Sequence, residues 1–458
     1  MKQNHQTLKL LDLIREPKAN LEERERGRPE HPPPLISDRG RIYSSTGFRR
    51  LQSKAQVFSL EENAAVRSRL THSLEVSSIA KRLARIALKP LQTDSGKAET
   101  ICELAALIHD IGNPPFGHFG ESVIQNWVKT KLSKKAWWEN IPKEFQHDFK
   151  SFDGNAQGLR IVSRLQWHNG PTGLHLTYPV MATMIKYPRS QPDGDEKKIG
   201  HFQTEEDLIR DIWTTLGIPE GARHPLSYIL EAADDIAYAI SDIEDAIEKG
   251  IFRPHEIKDS ITARITSKSH PEKGSAIEFV NNHFDLARPY PYVSFKIELL
   301  RQLTGTAGGK FSKQYDSGLD FNKVTIWDEN CPFNLIRLCM RDFAREDLFQ
   351  CSDAVQVELH GKAVLERILL ELEAIMDLDR TVFQKLRERK VWNKHFRESR
   401  INTMLPKKAR RVYEWSLDNK VPERVARLHF CIDYIAGLTD PHALKTSKVL
   451  AGIELERK

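Results

Sequence analysis

The chain has 458 residues, 40% of them hydrophobic and 29% charged, a balance typical of globular proteins with room for a large core and two or three substructures. No apolar run approaches the roughly 18 residues needed to cross a bilayer, and Met1 to His5 carry no apolar signal core, so the expectation is a cytoplasmic protein without a membrane partner. The formal charge of +6 permits nucleotide or nucleic-acid partners without demanding them, and five scattered cysteines with no CxxC pair indicate neither a disulfide framework nor a zinc knuckle.

Residues 1–40 are polar, with Pro29, Pro32, Pro33 and Pro34 close together, and predict an extended arm. From about residue 41 to 90 the pattern is helical. His72, Val76, Ile79, Ala80 and Leu83 recur at three- and four-residue spacing and mark one amphipathic face. A second helix is predicted over 98–109, stopping before Gly112-Asn113-Pro114-Pro115, which cannot continue it. A third starts near Gly117 and reaches about Lys131. The aromatic and charged stretch 132–153, with Trp137 and Trp138, reads as a surface excursion. Asn155 to Leu165 is helical again, and 170–203, rich in Pro, Gly and charge, reads as an irregular loop with room for a short hairpin. Leu226 to Glu248 is a strong helix with Gly250 as its stop. Beyond it the chain stays helical, with a small strand region expected near 287–330. The fold class is mainly α with few short strands. Lys407 to Arg411 and Lys385 to Lys390 are basic clusters that suit a solvated helix face or a phosphate contact.

The chemistry concentrates in a few residues. His109 and Asp110 end an apolar stretch, and a buried carboxylate needs a partner or a shared cation. Together with His72 and Asp234, they form a mixed nitrogen and oxygen set on separate helices. That set suits Mg²⁺ or a first-row divalent metal with open positions for water and phosphate. Positions four apart lie on nearly one helix face, so Asp234, Tyr238 and Asp242 make a polar stripe, which favours Asp234 over Asp235 as the ligand. His118 and Glu121, three apart at a helix start, share a face. A histidine oriented by a carboxylate can move a proton or position a water.

These residues and their flanks resemble a known family. His72, His109-Asp110 and Asp234 match the H…HD…D signature of the HD-domain phosphohydrolase superfamily. More specific are five ordered runs: Phe48 to Phe58, Arg67 to His72, His109 to His118, Asn155 to Arg160, and Glu231 to Ile236. Together they resemble the bacterial deoxyguanosine triphosphate triphosphohydrolases, strongly over residues 35–250 and more weakly toward Asp433 to Asp440. The resemblance implies an HD catalytic core over 41–250. It also implies a helical C-terminal region, 251–458, contributing to the substrate pocket and to oligomer contacts. It assigns His72, His109, Asp110 and Asp234 to a divalent metal, Mg²⁺ or Mn²⁺, and His118 and Glu121 to catalysis at the α-phosphate. Gln56, Tyr238 and Asp242 would surround the deoxyribose and Val57 the base. Asn155, Lys186, Tyr187 and Arg69 would line the phosphate path.

The implied reaction is attack of water on the α-phosphorus of dGTP, releasing deoxyguanosine and tripolyphosphate. A broader deoxynucleoside triphosphate range is the alternative. The Asn113 to His118 run and the Gln56 segment argue against other HD phosphodiesterases, and the intact metal set with His118 and Glu121 argues against a nucleotide- or nucleic-acid-binding module without catalysis. The resemblance also implies a homo-oligomer, often a hexamer, and leaves single-stranded DNA as a further partner. Arg400 resembles an element near a subunit boundary, with a plain surface charge as the other reading.

Overall fold

The structure is a computed structural model that describes residues 33–89, 95–167, 172–191, 198–316, 326–388 and 394–453. Most of the expected N-terminal arm, residues 1–32, lies outside that range. The last part of that arm is not extended: α1 (Pro34–Ser44) begins there, with Pro34 in the first helical turn, where its missing N–H costs nothing. The helix α2 (Arg69–Leu88) starts at Ser68, whose hydroxyl accepts the Thr71 N–H while Thr71 returns the bond to the Ser68 backbone. Such a reciprocal cap is worth about 1 kcal/mol. The buried face of α2 carries Val76, Ala80, Leu83, Ala84 and Ala87, and His72 lies on the same side, fully inside.

The apolar helix α3 (Ser95–Ile108) ends immediately before the His109-Asp110 pair. The turn that follows meets α5 at van der Waals limit, and α4 (Gly117–Thr130) then leaves in a new direction. The helix α5 (Gly154–Arg160) passes into a π-helical turn over Ile161–Leu165. A Cβ at Gly112 would stand 2.1 Å from the Gly154 carbonyl oxygen and the Gly158 nitrogen, so only glycine lets α5 pack against the turn that presents the pair.

Three sequence expectations are corrected here. Within 170–203 the chain forms α6 (Tyr178–Met184), every residue of it buried, with Pro179 in its first turn. A proline there starts a helix instead of breaking one. Trp138, expected on a surface excursion, is 1% exposed, and its indole N–H donates to Gln146 Oε1 at 2.9 Å. Within the strand region expected at 287–330, residues 291–316 form a long helix, and 317–325 lie outside the described residues.

The central helix α7 (Pro225–Glu248) starts at Pro225, and Gly250 just beyond it takes φ +71. The long helix is α8 (Pro291–Asp316), and it buries Phe295, Leu299, Leu303, Ala307 and Phe311. That spacing of four selects a helix over β-branched propensity. It is followed by α9 (Pro332–Phe343), α10 (Ser352–Met376), α11 (Lys407–Asp418), α12 (Glu423–Ala436) and α13 (Asp440–Leu450). No strand occurs among the described residues; Ala55 and Ser68 form an isolated antiparallel bridge.

Two apolar cores organise these helices. The first joins α2, α3, α7 and α8, so residues on both sides of position 250 share it. The second packs α4 against α10 and the C-terminal helices, drawing Trp127, Trp138 and Phe149 together with Leu365, Leu372 and Phe430. Among the described residues no helix is long and apolar enough to cross a membrane, and the five cysteines are free thiols. The cavity described next lies where the two cores meet.

Candidate active site

The first turn of α2, the end of α3 and the middle of α7 converge on one point. His72, His109 and Asp110 present ligand atoms all within 4.8 Å of one another. Asp234 Oδ1 lies 3.1 Å from His72 Nε2 and 3.4 Å from His109 Nε2. The sequence separates Asp110 and Asp234 by 124 positions, and only the packing of α7 against α2 and α3 brings them near. The Nδ1–H of His109 donates to the Ala106 carbonyl at 2.7 Å, which turns a lone pair on Nε2 inward. That buried Nε2 has no hydrogen-bond partner among the described residues. An orphaned, correctly oriented imidazole lone pair between two carboxylates fits a divalent cation.

Electrostatics agree. Burial works against ionising Asp234, yet the Lys186 ammonium and the neighbouring imidazoles hold its carboxyl well below the usual range. Burial likewise opposes ionisation of Asp110, and His109 and Arg69 overcome it. Arg69 Nη1 donates to Asp110 Oδ2 at 2.5 Å, and the Asn113 amide donates to Oδ1 at 2.7 Å. The two oxygens of Asp110 are thereby oriented by separate donors. Asp235, the rejected neighbour, turns away to Arg337 on α9, at 3.0 Å, and to the Trp327 indole at 3.1 Å.

Beside this cluster is a cavity of about 260 Å³ lined by Gln56, Val57, Arg69, His72, Asp110, His118, Asp234 and Tyr238. His118 projects into it from the first turn of α4 with its side chain 70% exposed. Its Nδ1 faces Glu121 Oε2 at 3.0 Å, while Glu121 Oε1 accepts the Gly154 N–H at 2.8 Å. Glu121 is buried, which alone would raise its pKa. The bond to His118 and the Lys198 ammonium at 3.5 Å bring it down to about 2. The carboxylate is therefore fixed and charged, His118 holds its proton on Nδ1, and Nε2 is left to accept one. The turn that delivers His118 is tight. Phe116 takes φ +62 and Gly117 φ +58, and a Cβ at Gly117 would stand 2.4 Å from Arg69 Nη2.

The remaining sequence-predicted residues divide. Lys186 sits behind Asp234 as its ion-pair partner. Asp242 lies one turn beyond Tyr238, as the stripe requires, but it is completely buried and both its oxygens lack a partner among the described residues. Burial, then Asp245, raises its pKa well above the usual value. Gln56 Oε1 is likewise buried and unpartnered. Gln56 lines the cavity, so its orphaned oxygen fits a polar ligand that supplies a hydrogen bond. Asn155 and Tyr187 are not brought to the cavity. The Asn155 amide donates back to the cap residue Asp153 at 2.8 Å. The Tyr187 carbonyl packs against Gly200.

The sequence reading missed part of the wall. Phe349, Ala354, Val357 and Glu358, from α10 and the turn before it, close the side opposite the ion cluster. Phe349 meets the Tyr238 ring at 5.9 Å between centroids. Burial raises the pKa of Glu358, and its carboxylate has no partner among the described residues. No short motif marks this segment, so only tertiary packing reveals it.

Comparison with known proteins was consistent with this geometry. A family model described as HD domain matches residues 69–169. The chain is 32% identical to a deoxyguanosinetriphosphate triphosphohydrolase of Salmonella paratyphi A, over 91% of this chain and 93% of that protein. It is 31% identical to one of Enterobacter sp. strain 638, over 91% and 94%. A Pseudomonas aeruginosa protein named "Probable deoxyguanosinetriphosphate triphosphohydrolase" is 30% identical over 92% and 93%.

Proposed function

The chain belongs to the deoxyguanosinetriphosphate triphosphohydrolase family, and from that premise we propose that it hydrolyses dGTP to deoxyguanosine and tripolyphosphate. The observation that carries this reading is the opening of the His72–Asp110–Asp234 cluster and of His118, backed by Glu121, into one cavity. His72, His109, Asp110 and Asp234 would hold a divalent metal, Mg²⁺ or Mn²⁺, which supplies charge neutralisation at the α-phosphoryl group.

The protein's own residues do the rest. A triphosphate carries about four negative charges, and Arg69 and Lys186 place cations at the two ends of the cluster to meet them. Gln56 and Tyr238, with Asp242 one turn beyond on α7, offer the polar contacts for the deoxyribose. His118 Nε2, at the cavity rim, accepts the proton of the attacking water while Glu121 stabilises the imidazolium that forms.

The test is incubation of the purified protein with each of the four deoxynucleoside triphosphates and Mg²⁺ or Mn²⁺, resolving products by phosphorus NMR. Equimolar deoxyguanosine and tripolyphosphate from dGTP is the expected result. Pyrophosphate with a nucleoside monophosphate, or no turnover with either metal, overturns it.

A further inference from the structure

The run Asp433 to Asp440 resembles the family but has no part in the chemistry described above. Its last residue opens α13 and is 1% exposed. Both oxygens of Asp440 serve segments far from its own helix. Oδ2 accepts the Ala55 N–H at 2.9 Å and the Ser59 hydroxyl at 2.6 Å. Oδ1 accepts the Phe116 N–H at 3.1 Å, across 324 positions of sequence.

The two segments that share this carboxylate build different parts of the cavity. Ala55 and Ser59 bracket Gln56 and Val57, which line it. Phe116, at φ +62, opens the tight turn that delivers Gly117 and His118 to the same cavity. Lys54, beside Ala55, ties the same parts together: its buried ammonium donates to the Asn113 carbonyl and, at 2.7 Å, to the Ala436 carbonyl at the end of α12. Burying a carboxylate is costly, and apolar side chains would hold α13 in place with less penalty. A carboxylate fixes what an apolar contact leaves loose, the direction and distance of two backbone N–H groups relative to each other.

Resting on the hydrolytic reading above, we propose that Asp440 is a positioning residue for that reaction: one carboxylate from the C-terminal region sets His118 at a fixed distance from the bound deoxynucleotide by holding both the His118 turn and the Gln56 segment. Asp440 does not line the cavity. It acts through Phe116 on one side and through Ala55 and Ser59 on the other.

Asp440→Asn separates the two holds. The amide keeps one oxygen, and the side with two donors claims it. The NH₂ group then faces the Phe116 N–H, donor against donor, and the His118 turn is released. The kcat for dGTP should fall about 10- to 100-fold, the scale of a misplacement near 1 Å, with KM held within about threefold. In a His118→Ala background the same substitution should change kcat by less than about twofold, because the turn then carries no acting group. Ser59→Ala weakens the other hold and strands no donor. Its KM should rise about three- to tenfold with kcat near wild type, and the rise should vanish when Gln56 is already alanine. This second cycle decides the matter if Asp440→Asn does not fold. Wild-type kcat in folded Asp440→Asn, an equal fall in the His118→Ala background, or a Ser59→Ala KM that is unchanged or rises equally without Gln56 overturns the proposal. A wild-type chain that hydrolyses no deoxynucleoside triphosphate overturns the underlying reading, and the proposal with it.

Discussion

Replacing Glu121 by glutamine tests whether its carboxylate sets the state of His118. The carboxylate serves two donors at once, the Gly154 N–H through Oε1 and His118 through Oε2. A glutamine keeps one oxygen. If that oxygen stays on Gly154, the new amide N–H₂ faces His118 Nδ1, which must then be an acceptor. The imidazole proton moves to Nε2, and the atom that faces the cavity can no longer take a proton. The loss expected is that of a positioned general base, roughly 100- to 10,000-fold in kcat. KM should hold within about threefold, because Glu121 lies behind His118 and outside the cavity lining. The fall of the Glu121 pKa from 4.5 to about 2 gives the scale of the structural cost, about 3 kcal/mol at 1.36 kcal/mol per pKa unit. Asp153, 3.6 Å from Lys198, still offers that lysine a partner and reduces this cost. Steady-state release of tripolyphosphate from dGTP, with melting temperature measured on the same samples, separates the two effects. A Glu121→Gln protein that melts lower but turns over at the wild-type rate would refute the tautomer argument and leave the pair a structural contact.

Three further outcomes follow from the same geometry. The carboxylate of Glu121 is held below its unfolded pKa, so its contribution is present above about pH 4.5 and is lost as pH falls toward 2; urea unfolding of wild type and Glu121→Gln should therefore converge over that window. Gly361→Ala would put a Cβ 2.6 Å from Phe116 Cγ, and Phe116 is tethered by its N–H to Asp440 Oδ1 at 3.1 Å, so we expect about 1–3 kcal/mol of destabilisation with a raised KM, read by denaturation and kinetics. Glu358→Gln replaces an all-acceptor group in the wall shared with Val57. Guanine offers two adjacent N–H donors that adenine lacks, so the kcat/KM preference for dGTP over dATP should shrink by about 1–3 kcal/mol equivalent, while an unchanged preference would remove Glu358 from base reading.

The parts of this site that were legible in the sequence are those in which chemistry and local geometry coincide within one turn. His109 and Asp110 stand out because an apolar helix ends on them, and His118 with Glu121 because a helix start fixes their spacing. The choice of Asp234 over Asp235 followed from a four-residue stripe, and the structure sends Asp235 to Arg337 instead. The same stripe placed Asp242 correctly on the helix but could not give its depth, because burial depends on what packs over the face, here Tyr292 and the helix behind it. Where local signals conflicted, tertiary packing decided. Pro179 suggested a turn, yet at the first turn of a buried helix it is an initiator. Glycines and threonines obscured α8, while its Phe and Leu residues at every fourth position governed the outcome. The wall made by Phe349, Val357 and Glu358 had no sequence signal, since a residue 300 positions from Val57 becomes its neighbour only through the contact of α10 with α4. That contact rests on Gly361 and Phe116, so the side of the cavity least visible in the sequence is controlled by the same turn that presents His118. A change in the packing of α10 should therefore reach catalysis and substrate preference together.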